Sequence, residues 1–124
     1  MSTLSDFQQF ALELQAPGRP LIAPDRFAEA FHLRQQDLAE LAHVHRATVG
    51  AAPANVKLQQ FMRDTLSVLS AAMDVNRDYV RAMYWYKNSP IPEFGHRTAE
   101  QLVSAGKAEA VISYLLSVAS GSTG

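Results

Sequence analysis

Between Val56 and Met73 the apolar stripe Leu58, Phe61, Met62, Leu66, Leu69 and Met73, with Thr65 set into it, returns every three or four positions. That is the period of a helix with one buried face, not the period of two that a strand requires. The whole stretch therefore reads as one long amphipathic helix. The same period governs the rest of the chain. Phe7, Phe10, Ala11 and Leu14 form one stripe over a helix from Asp6 to Leu14, with Ser5 as its N-cap. Ala16-Pro17-Gly18-Arg19-Pro20 ends it in a loop. Pro24 suits a first helical position and opens a helix carrying Phe27, Ala30 and Phe31. A third helix, Gln35 to Ala42, carries Leu38, Leu41 and Ala42. A short fourth runs from about His45 to Ala51 and stops before Pro53.

Beyond the long helix, Asp78 to Tyr86 is helical and ends at Lys87-Asn88-Ser89-Pro90. Two prolines restrict the loop Pro90-Ile91-Pro92-Glu93-Phe94-Gly95, which is expected to be non-helical. Thr98 and Gln101 have capping-box spacing and open a short helix ending near Gly106. Ala108 to Ala119 carries Val111, Ile112, Leu115, Leu116 and Val118, with Gly121 as C-cap. Strand-like alternation is absent over any useful length. The expected fold is all-α. Residues 1–20 form an N-terminal helix and loop, 21–73 a helix-turn-helix half with the long helix, and 74–124 a small helical C-terminal domain.

A chain of 124 residues suits one compact unit or two very small ones sharing a core. It buries roughly two thirds of the surface its unfolded form exposes. Cysteine is absent, which excludes disulfides, thiolate metal sites and cysteine nucleophiles. Eleven bases against twelve acids give a net charge of −1. That excludes a bulk polycation but not a local DNA-reading surface. No apolar run approaches the ~20 residues that span a bilayer, and the N-terminus lacks the pattern of a secretion signal. The expectation is a cytoplasmic protein without a membrane partner.

Leu33 to Val49, LRQQDLAELAHVHRATV, has the shape of a helix-turn-helix. Ala39 is small enough for a second helix to cross closely, and Val44 and Val49 face inward. Such a motif sets the N-terminal residues of its second helix against base edges. Here those are His45, Arg46, Ala47 and Gly50, with Thr48 on the same helix, and Gln35 is placed for a phosphate contact. The plain alternative is a helical hairpin. His43 stands where the turn glycine usually sits, and Pro53 cuts the second helix short. Arg19 to Arg63 holds six bases and four acids. A surplus of two supports only weak phosphate binding by one copy, so two copies are expected on two half-sites. The long apolar stripe and the N-terminal one also favour a homodimer, unless both close a core within one chain.

Trp85 to Leu102, WYKNSPIPEFGHRTAEQL, leads from the aromatic triplet Tyr84-Trp85-Tyr86 into the proline-bounded loop. A loop held between two helices is rigid at low entropic cost, which suits binding. Trp85 and Phe94 read as core. Lys87 and Arg97 read as solvated or interfacial, while Tyr86 and Ile91 fit either place.

This half resembles the toxin-binding domain of Xre/MbcA/ParS antitoxins, through Trp85, Asn88, Pro92, Phe94, Gly95, Thr98, Leu102, Gly106 and Gly121. Ala99 stands where that family usually has proline. The first half resembles the Xre-type repressor half of the same proteins, through Leu33, Gln35, Leu38, Ala39, Val44, Arg46, Thr48 and Val49. Together they cover about residues 25 to 121. The resemblance implies a type II antitoxin that blocks a RES-type NAD-degrading toxin, or a related ADP-ribosyltransferase, and represses its own operon. It implies that the C-terminal domain covers the toxin's cleft, with the C-terminal end near its entrance. The implied toxin-binding residues are Tyr86, Lys87, Asn88, Ile91, Phe94, Arg97 and the tail Gly121, Ser122, Thr123 and Gly124.

Enzymatic readings are poorly supplied. His43 and His45 lie two apart and would not share a helical face. With His32 and His96 they offer no complete zinc set. There is no glycine-rich phosphate loop and no nucleophile elbow. No catalytic residue, metal or cofactor is therefore expected. A helix-turn-helix regulator without a toxin, or a scaffold that only oligomerises, are the alternative readings.

Overall fold

The computed structural model describes residues 6–121, with side chains from Phe7 onward. The expected cap Ser5 and the tail residues Ser122, Thr123 and Gly124 lie outside the described residues. The fold is all-α. Its elements are α1 (Asp6–Glu13), α2 (Pro24–Ala30), α3 (Gln35–Ala42), α4 (Arg46–Ala51), α5 (Val56–Val75), α6 (Tyr79–Asn88), a 3-10 turn (Pro92–Phe94), α7 (Ala99–Ser104) and α8 (Ala108–Ala119). Among the described residues no strand forms, only isolated antiparallel bridges at Gln15–Ile22 and Ile91–Arg97.

Two compact units divide the chain, Met1–Arg63 and Asp64–Gly124. The division falls inside α5, earlier than the change after residue 73 that the sequence suggests. The α5 stripe is covered within the single chain. Leu58, Met62, Thr65 and Leu69 are fully buried, Phe61 nearly so, and Leu66 and Met73 half-buried. It therefore lends no support to a second copy.

In the first unit α3 packs against α4, and α2 against both. The core is aromatic. Phe27 stacks on Phe31 with ring centroids 4.3 Å apart and meets Phe61 edge-on at 6.1 Å. Phe10 of α1 meets Phe31 edge-on at 5.9 Å. Edge-to-face and offset rings of this kind add to simple area burial. Residues after α1 are tied back by backbone bonds, Ala16 N–H to Leu21 O and Ala23 N–H to Leu14 O, both 2.7 Å.

Local chemistry sets the helix ends. Asn55 Oδ1 accepts the Leu58 N–H at 3.1 Å and starts α5. Asp78 accepts from Val80 and Arg81 and starts α6. At α7 the Thr98 hydroxyl accepts the Gln101 N–H at 3.1 Å, and the Gln101 side chain accepts the Thr98 N–H at 2.9 Å. That reciprocal pair satisfies two donors a helix start would otherwise strand.

Between α3 and α4 the chain turns at His43, which is left-handed at φ 58°, ψ 44°. A side chain is disfavoured there because Cβ crowds the following carbonyl, whereas glycine has no such contact. His43→Gly is therefore expected to stabilise the protein. Relieved strain, less the extra freedom glycine gives the unfolded chain, leaves a gain of about 0.5–1 kcal/mol. A thermal melt should move up by a few degrees, and a lower melting temperature would contradict this account.

Candidate functional site

The residues expected to read DNA gather on one helical pair. Gln35 is the first residue of α3 and is exposed. His45 is the N-cap of α4, and its Nδ1 accepts the Ala47 N–H at 3.0 Å. Arg46, Ala47 and Gly50 are exposed, Thr48 is half-buried, and Val49 closes the inner face at 3% exposure. Val44 follows the turn half-buried, and its N–H bonds Ala39 O at 3.0 Å.

At six residues, α4 is about 9 Å long. Its outward surface is small, and Arg46 is its only charged side chain. Arg34, just before α3, is held by Asp37, whose carboxylate accepts from its N–H, Nε and Nη2 at 2.9–3.0 Å. That bonding raises the guanidinium pKa further above its ordinary value. Over Met1–Arg63 six bases meet six acids. The unit carries no net positive charge to draw in a nucleic acid.

The partner-binding candidates gather around the proline loop of the second unit. The loop is not wholly irregular, because Pro92–Phe94 makes one 3-10 turn. Proline fits its first position, where no N–H is needed. Ile91 is the pivot. Its carbonyl accepts the Phe94 and His96 N–H groups, both at 3.0 Å, and its N–H donates to Arg97 O at 2.9 Å. Gly95 and His96 are both left-handed, at φ 69° and 62°. Two such residues in succession reverse the chain and close the loop on itself.

This geometry removes two residues from the expected contact surface. Ile91 is 2% exposed and plugs the loop from inside. Tyr86 is 1% exposed, and its hydroxyl lies 2.8 Å from Thr65 Oγ1. Burial pushes the Tyr86 pKa far above its ordinary range, against the opposing pull of the Thr65 hydrogen bond. Neither side chain can reach a partner while the unit stays folded. Trp85, expected as core, is half-buried, so Tyr86 is the core aromatic of the triplet. Phe94 is also only half-buried and meets Tyr114 edge-on at 6.0 Å.

What remains outward is Asn88, Arg97 and Gly121, with Lys87 and Phe94 half-buried. Asn88 Nδ2 donates to Tyr84 O at 3.1 Å, and Arg97 Nε donates to Phe94 O at 3.2 Å. Arg97 is thus anchored at one edge of its guanidinium. Sequence reasoning missed an apolar dent in the second unit. Its volume is about 190 Å³, and Val75, Arg81, Trp85, Tyr114 and Val118 are among the residues lining it. Leu116 and Val118, expected inside α8, are exposed at 58% and 37%.

Among the described residues no three histidine or carboxylate side chains gather as a metal site would require, and no helix is long and apolar enough to cross a membrane. Compared with known protein families, curated proteins and solved structures, the chain matches none.

Proposed function

We propose that the chain is an antitoxin of the Xre/MbcA/ParS kind, which neutralises a RES-type toxin by covering its active-site cleft and represses its own promoter. The observation that carries the reading is the closed loop around Ile91, set between α6 and the capped helix α7, in a unit that follows the α3–α4 pair. A rigid loop is suited to steric blocking, because little entropy is lost when a partner meets it. Asn88, Phe94, Arg97 and the chain end from Gly121 form the proposed contact surface. Exposed Arg46, Ala47 and Gly50 on α4, with Gln35 on α3, form the proposed DNA surface. A neutral first unit binds phosphate weakly, so repression requires a homodimer on two half-sites.

The test is growth rescue of cells producing the product of the adjacent gene, beside a gel shift on the chain's own promoter. Arg46→Ala should weaken promoter binding by roughly 5- to 150-fold, the equivalent of ~1–3 kcal/mol for one major-groove contact, and leave rescue intact. Arg97→Ala, or deletion of Gly121 to Gly124, should impair rescue and spare promoter binding. All three positions are exposed or terminal, so the variants keep the core. A folded Arg46→Ala protein that no longer rescues would overturn the two-surface reading. Failure of the wild-type chain to form a complex with the neighbouring product would remove the antitoxin reading altogether.

A further inference from the structure

The first unit holds an open groove of about 540 Å³ between α1, residues 20–22 and α5. Phe7, Ala11 and Leu12 of α1 face Leu21 and Ile22 across it. Its floor is fixed. Ile22 pairs with Gln15 as a backbone bridge, and the Gln59 side chain bonds both the Ile22 N–H and the Ile22 carbonyl.

The polar groups along the walls are already committed. Gln59 Nε2 also donates to Pro53 O at 2.8 Å, and Gln15 Nε2 to Arg19 O at 3.1 Å. Gln8 has a partner of its own. One charged side chain lines the groove, Arg63. Its Nη2 meets the Gln60 Oε1 at 3.2 Å. Among the described residues no carboxylate pairs with it. Apolar walls, amides with partners of their own and a single cation at the rim select a ligand with an apolar body and one anionic head.

We infer that this groove binds a medium-chain aliphatic carboxylate, its chain along α1 and its head on the Arg63 guanidinium. A guanidinium fork matches a carboxylate in a bidentate pair, which fixes orientation as well as adding affinity. The inference stands apart from the antitoxin reading, since it uses neither the α3–α4 pair nor the second unit.

Isothermal titration of the full chain with octanoate, kept below its micelle concentration, tests it. The expected result is saturable binding at one site. Octanamide, with the same chain and no charge, should bind about tenfold more weakly. Arg63→Gln should lower octanoate affinity to the octanamide level and leave octanamide unchanged. Leu12→Glu should abolish both, by placing a carboxylate in the apolar wall. Leu12 is 54% exposed and Arg63 is exposed, so both variants should melt as the wild type does. No saturable binding overturns the proposal. Equal affinity for octanoate and octanamide, or an unchanged Arg63→Gln variant, overturns it as well.

Discussion

Tyr86→Ala should unfold the second unit or bring it to the edge of unfolding. The side chain is among the largest fully buried ones in the protein. Emptying such a site costs about 3–5 kcal/mol, against a total stability of about 5–15 kcal/mol for a domain. The conservative variants separate volume from hydrogen bonding. Tyr86→Phe keeps the shape and strips the Thr65 hydroxyl of its partner, at about 1–3 kcal/mol. The cost should fall at the low end, because a helical threonine can turn its hydroxyl to a carbonyl one turn back. Adding Thr65→Val should recover most of the loss, since removing both partners leaves nothing unsatisfied. Thermal melts of the three variants beside the wild type check this. A double variant less stable than Tyr86→Phe would sink the account.

The same burial governs how loss of partner binding is read. Tyr86 and Ile91 are buried, so changing either would disturb the unit as a whole and say little about its outer surface. Asn88 and Arg97 are the informative positions, because both are exposed and each side chain bonds a backbone carbonyl.

Most of the architecture is legible from local signals. The Gln35–Ala42 helix is bounded in the sequence as in the structure, because its limits depend on neighbours along the chain. The Thr98–Gln101 capping box is likewise a matter of spacing alone. What stayed illegible depends on orientation. Within Tyr84-Trp85-Tyr86, size favours tryptophan for the core, but residues one apart on a helix differ by about 100° in direction. Ala82 and Tyr86, four apart and both buried, mark the inward face. A small residue one turn before a tyrosine was the available signal. The loop illustrates a second limit. Two prolines argue against an α-helix, yet a 3-10 turn needs bonds only from the residues after Pro92. The positive φ of His43 is legible as the place of a missing glycine, whereas His32 and His96 are also left-handed with no comparable mark. The DNA and toxin readings rest on the resemblance and on which side chains face outward. The charge balance adds little to either.

Gln59 leaves another faint trace, a polar residue three positions before Met62 on the long stripe, and its replacement should have the second large effect. At 3% exposure it is one of the few buried polar side chains of the core. Its amide accepts the Ile22 N–H at 3.1 Å and donates to Ile22 O and Pro53 O at 2.8 Å each. It thereby holds the approach to α2 and the connection before α5 with one side chain. Gln59→Leu keeps most of the volume and leaves three backbone groups without that partner. At about 1 kcal/mol for each bond the expected loss is about 3 kcal/mol. Gln59→Glu should be worse near neutral pH, because a carboxylate cannot donate and would face two carbonyl oxygens. Burial and those carbonyls favour its protonated form, which regains one donor. Stability of that variant should therefore rise as the pH falls through the folded-state pKa of the new carboxyl group. Amide exchange at Ile22 reports the loss of its acceptor locally, and it should accelerate in Gln59→Leu. Unchanged Ile22 protection in Gln59→Leu would show that the backbone bridge to Gln15 holds the segment alone, and that Gln59 is a passenger in the core.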